Sequence, residues 1–146
     1  MTAELPPLGF EVPIGGCLLI RADPFGPTAL ETSAKKDFVK RQADAETKGT
    51  QSPVDYRISV YARRRKAHQP TQEFFEGLVK HALQYLPGTS KVAPVTETEL
   101  NDAEFFLDLS EPPDDHYDIV LGVDLQNLRS QELSDMFKTH ERIKVR

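Results

Sequence analysis

Residues 55–63 read DYRISVYAR and residues 71–86 read TQEFFEGLVKHALQYL. In the first stretch Tyr56, Ile58, Val60 and Ala62 alternate with Arg57, Ser59, Tyr61 and Arg63. A period of two is a strand with one packed face and one wet, basic face. In the second, Phe74, Phe75, Leu78, Val79, Ala82, Leu83 and Leu86 recur at helical spacing, and Pro87-Gly88 stops the run. Thr71 suits the N-cap, with Glu73 and Glu76 near the positive end of the helix dipole. A helix with one apolar stripe beside a half-wet strand needs a sheet to bury that stripe. The pair points to α+β.

Upstream, Phe10–Ile14 and Cys17–Arg21 flank Gly15-Gly16, which predicts a hairpin on a two-residue turn, with Pro13 at an edge or bulge. Thr28 and Glu31 have capping-box spacing, and Leu30, Ala34 and Phe38 form a narrow stripe, so a helix begins there. Lys36–Arg41 also suits a strand. The polar stretch 44–53, with Gly49, Ser52 and Pro53, predicts a mobile loop. Downstream, Val92–Val95 reads as extended and Thr96–Ala103 as a short acidic helix opened by Thr96 and Glu99. Glu104–Leu109 reads as a strand, 110–116 as a loop, and Tyr117–Leu125 as a buried strand. Ser130 opens a helix carrying Leu133, Met136 and Phe137, and 142–146 suits an edge strand. The expectation is one α+β domain over 1–146. Its sheet is mixed, mostly antiparallel, of about five or six strands, with two or three helices packed on it.

At 146 residues, 38% hydrophobic and 28% charged, the chain is lean and polar but large enough for an ordinary core. Its longest apolar run, Cys17–Ile20, has four residues against the ~20 that span a bilayer, and the start MTAELPPLGF lacks a basic, apolar leader. A single cysteine forms no internal disulfide and no Cys-rich zinc site. A cytoplasmic protein without a membrane partner is expected.

Charge is the most informative feature. The net charge is −5, yet residues 1–70 hold 11 basic and 8 acidic side chains, 71–125 hold 2 and 12, and 126–146 hold 5 and 3. No Lys or Arg falls between Lys91 and Arg129, whereas Arg63, Arg64, Arg65 and Lys66 are consecutive. Such asymmetry speaks to partners and encounter rates, not to fold. The alternative without a partner is that the two segments meet in the fold and screen each other.

No complete catalytic, phosphate-binding or cofactor motif occurs, so no catalytic residue, cofactor or metal is assigned and the chain reads as more an interaction protein than an enzyme. Cys17, inside an apolar strand, suits an inert small hydrophobe. The leading expectation is a small acidic protein, inhibitor- or immunity-like, that binds a basic protein through Asp108, Glu111, Asp114, Asp115 and Tyr117. Carboxylates would steer the encounter and aromatics anchor it. The alternative is nucleic-acid binding by Arg57, Tyr61, Arg63, Arg64, Arg65 and Lys66, with arginines on phosphates and a tyrosine under a base. A third reading places a metal-dependent hydrolase or nuclease at Asp114, Asp115, His116 and Asp118.

Overall fold

The computed structural model describes residues 5–111, 113–124, 129–139 and 143–145. Among them six strands form one sheet: β1 (Cys17–Ala22), β2 (Tyr56–Arg64), β3 (Lys91–Thr96), β4 (Phe106–Leu109), β5 (His116–Gly122) and β6 (Ile143–Lys144). Four helices accompany them: α1 (Pro27–Lys48), α2 (Thr71–Leu83), α3 (Glu97–Asp102) and α4 (Ser130–Thr139). The strand order is β4-β5-β2-β1-β3-β6, and every neighbouring pair is antiparallel. The fold is α+β, and the sheet has no parallel pair.

Alternation along β2 divides the core. Ile58, Val60 and Ala62 face one side with Cys17, Leu19, Val95, Ile119 and Leu121, under Leu30 and Ala34 of α1, Leu100 of α3, and Leu133 and Phe137 of α4. Tyr61 faces the other side with Leu18, Ile20 and Val92, under Phe74, Phe75, Leu78, Val79 and Ala82 of α2. The helical stripe read from the sequence is therefore docked as expected, with Leu83 and Leu86 only partly buried at its end. Each fully buried Leu or Phe contributes on the order of 1.5–3 kcal/mol relative to exposure.

Several local expectations are corrected. Residues 10–14 form no strand; β1 pairs with β2 and β3 instead. The turn centres on Ile14-Gly15 rather than Gly15-Gly16: Gly16 N–H donates to the Pro13 carbonyl at 2.8 Å, and Gly15 N–H donates to the Arg65 carbonyl across the end of β2 at 2.8 Å. A Cβ on Gly16 would stand 2.8 Å from that Pro13 carbonyl oxygen, so the turn needs glycine. Pro13, without an N–H, suits this loop better than a ladder. Val12 and Leu8 bury themselves beside α2, where Leu8 N–H donates to Gln72 Oε1.

Helix α1 starts on Gly26 with Pro27 in its first turn, so Thr28 lies inside the helix and makes no capping box. It runs through 44–48 and ends at Gly49, whose left-handed backbone (φ 66°) closes the last turn. Ala43, Ala45, Glu46 and Lys48 are good helix formers; Ala45 is buried, and the exposed Asp44, Glu46, Thr47 and Lys48 are a solvated helical face rather than a loop. The connection is thus 49–55. Pro70, not Thr71, precedes α2, and the Thr71 hydroxyl donates to Glu11. The α3 capping box of Thr96 and Glu99 forms as read. β5 ends at Gly122 rather than continuing to 125, and Leu125 lies outside the described residues, as do Arg142 and Arg146 of the expected last strand.

Candidate functional site

Helix α2 covers only part of its face of the sheet. On the β2–β5–β4 side, alternation and register bring Arg57, Ser59 and Tyr61 of β2 beside His116, Asp118 and Val120 of β5, and these beside Phe106 and Asp108 of β4. Phe106 remains 59% exposed. Here the two charge blocks of the sequence meet. Arg57 reaches Asp108 at 2.6 Å, Asp55 at 2.8 Å and Asp118 at 3.8 Å. Arg63 pairs with Asp115 at 2.8 Å, Arg64 with Glu97 at 3.2 Å, and Arg65 with Glu11 at 2.7 Å. The screening alternative is realised in the fold for Arg57, Arg63 and Arg64, whereas Arg65 pairs with Glu11 of its own segment. Lys66 makes no ion pair among the described residues.

Asp108 and Asp118 stand directly opposite each other on β4 and β5, a like-charge pairing that is unfavourable by itself. Arg57 offsets it. Asp118 is only 4% exposed, and burial first, then the charge of Asp37, pushes its carboxyl above the usual range. Asp55 behaves oppositely: the Arg57 hydrogen bond holds its carboxyl below the usual range.

Four rings fill the gap between α2 and β5. Tyr61 lies 6.0 Å from Tyr85, 6.2 Å from His81 and 5.4 Å from His116, centroid to centroid. His81 Nε2 is 2.6 Å from the Asp114 carbonyl and His116 Nδ1 is 2.8 Å from the Ser110 carbonyl. A carbonyl only accepts, so each of those nitrogens carries its proton and donates. The imidazoles thereby tie the turn before β5 to α2 and to the sheet. Asp115 holds a left-handed backbone there (φ 63°), a conformation Asp tolerates better than most residues.

The five acidic-face residues do not share one face. Asp108 lies on the α2 side, whereas Tyr117 pairs with Leu109 on the opposite side and packs partly against the core. Glu111 and Asp114 are exposed in the turn. Asp108 and Asp115 are already engaged by arginines. Phe106 and Leu109 join this end as exposed apolar side chains; their place in an acidic segment was visible in the sequence, but not their outward orientation.

The chain matches no family model, no curated protein and no solved structure. The site therefore rests on its own geometry. In the third reading, Asp115 is turned to Arg63 and His116 to Ser110, and among the described residues no three His, Cys, Asp or Glu side chains are placed to hold one ion. Cys17 is buried, and burial pushes its thiol up to about 11, which leaves it a poor nucleophile at neutral pH. Among the described residues no helix is long and apolar enough to cross a membrane.

Proposed function

We propose that this protein is a non-enzymatic, cytoplasmic interaction protein, inhibitor- or immunity-like in kind, whose acidic β4–β5 end binds a basic protein. One observation carries the reading: the fold compensates the two charge blocks unequally. Arg57, Arg63, Arg64 and Arg65 each face a carboxylate of the chain, while Asp102, Glu104, Glu111 and Asp114 are exposed and face no cation among the described residues. Beside those acids stand exposed Phe106 and Leu109, which supply the apolar contact that a charged rim alone lacks. Exposed carboxylates add little to stability, yet their summed field steers an oppositely charged partner. Nucleic-acid binding by Arg57, Tyr61 and Arg63–Lys66 has less support, because the phosphate-facing arginines would first have to leave their carboxylates.

The test is a pull-down from host lysate with three forms: wild type, a variant with Glu104, Glu111 and Asp114 changed to Lys, and one with Arg64 and Lys66 changed to Glu. The reading expects a basic protein on the wild type and on the second variant, lost from the first and weakened by salt. Retention by the first variant, with loss of co-purifying nucleic acid from the second, would replace it with the nucleic-acid reading.

A further inference from the structure

The sheet has two outer strands, and they are protected very differently. β6 has two residues, Ile143 and Lys144, and shows solvent a lysine. β4 has four residues, no Lys and no Pro, and exposes Phe106 at 59% and Leu109 at 55%. Natural edge strands are usually blunted by Lys, Pro or a bulge. β4 carries one acid instead, Asp108.

The backbone of that edge is oriented by its last hydrogen bond. Ser110 N–H donates to the His116 carbonyl at 2.9 Å, continuing the β4–β5 register that pairs Leu109 with Tyr117. Backbone groups point to alternate sides along an antiparallel strand. The N–H and C=O of Asp108 and Phe106 therefore point to β5, and those of Leu107 and Leu109 point outward. Neither outward N–H donates to a carbonyl or side chain among the described residues.

We propose that the outer edge of β4 takes an extended basic segment of the partner protein as a seventh strand. Main-chain bonds to Leu107 and Leu109 would supply pairing, and alternate side chains would supply selection. Cross-strand neighbours fix the chemistry of that segment: a Lys or Arg beside Asp108, and apolar residues beside Phe106 and Leu109. Charge argues for this occupant over a second copy of the chain. Two β4 edges placed together would bring Asp108, Glu104 and Glu111 of one copy against the same acids of the other. A basic strand instead meets compensation, and Arg57 remains free to keep Asp118. The proposal rests on the reading that the partner is a basic protein, and adds how that partner is held.

The experiment uses the full chain and two synthetic eight-residue peptides of identical side chains, a twice-repeated Val-Lys-Thr-Val, which in antiparallel register sets Val beside Leu109 and Phe106 and Lys beside Asp108. One peptide has ordinary amides; in the other, every amide is N-methylated, which keeps the charge and removes the pairing N–H groups of both edges. Binding is followed by titration, and amide exchange at Leu107 and Leu109 by NMR. Strand addition predicts salt-sensitive binding of the first peptide, at least ~10-fold weaker binding of the second, and at least ~10-fold slower exchange at both amides on saturation. Equal binding of the two peptides without slowed exchange overturns strand addition and leaves charge capture standing. Binding of neither peptide at low salt overturns both. Slowing of the two amides with protein concentration alone, without peptide, assigns the edge to a second copy and overturns the proposal.

Discussion

The two faces of the sheet are finished to different standards. The side under α1, α3 and α4 is closed: Ile58, Val60, Ile119, Leu133 and Phe137 are all buried, and Phe25 and Phe137 meet at 5.9 Å. There the Ser134 hydroxyl donates to the Phe25 carbonyl at 2.6 Å and the Arg21 guanidinium to the Ser59 carbonyl at 2.6 Å, while among the described residues Arg21 Nε and Ser130 Oγ are buried without a hydrogen-bond partner. On the other side α2 covers Leu18 and Ile20 of β1, Tyr61 of β2 and Val92 of β3, but beyond Tyr61 the β2–β5–β4 half ends in ion pairs and in exposed Phe106. The apolar residues of this polar chain are divided between that core and a second cluster under α2, which includes no residue of β4 or β5. What remains at the open half is a charged, partly apolar surface with an unpaired strand edge. Stability and recognition are thereby assigned to different regions, and substitutions separate them.

The largest effect belongs to the covered regions. Leu78→Ala, on the buried stripe of α2, should cost about 2–5 kcal/mol in denaturant melts, from lost transfer energy plus the cavity left behind. A loss below ~0.5 kcal/mol would mean the helix is not seated as described. Next comes Arg57→Met, which leaves Asp108 and Asp118 facing each other across β4 and β5 without their shared cation. The cost should be about 1–3 kcal/mol at neutral pH, as for a buried charge deprived of its partner, and should shrink as acid protonates Asp118.

A smaller effect of opposite sign is expected at Asp118 itself. Its folded-state pKa is raised, so the stability it contributes is complete below the ordinary carboxylate range and is lost as pH rises through the raised value. Asp118→Asn should therefore melt higher than wild type at neutral pH, with the gain fading on acidification. Asp55, held low by Arg57, has the reverse sign: its contribution is present above the ordinary range and lost as pH falls through the depressed value. A pH-independent difference between Asp118→Asn and wild type would contradict the burial argument. The smallest stability change is expected at the open edge, where Phe106→Ser should stay within ~0.5 kcal/mol while weakening peptide binding.

Much of this architecture was legible in residue patterns. The β2 alternation, the α2 stripe and the Thr96–Glu99 cap are local signals, each complete within a few residues of sequence. The failures were also local in cause. Gly15-Gly16 carries a hairpin signature, yet Pro13 and the close approach of Gly16 to its carbonyl make it a loop turn. The polar end of α1 resembles a linker because a solvated helical face and a linker share composition. The site was half legible. Charge blocks are visible along the chain, but Arg57 and Asp108 lie 51 residues apart and Arg63 and Asp115 lie 52 apart. Only the β2–β5–β4 register decides that they neutralise each other and that Phe106 and Leu109 face outward.

In the free protein the β4 edge is open while the covered core holds the rest. Residue-resolved hydrogen exchange on the free chain at low concentration tests it most directly. Leu107 and Leu109 amides are expected to exchange near the unprotected rate, while Leu19 and Val60 on the inner strands exchange at least ~10³-fold more slowly, through global unfolding. Protection of Leu107 and Leu109 comparable to that of Leu19 and Val60 would show the edge already paired and closed to a partner strand.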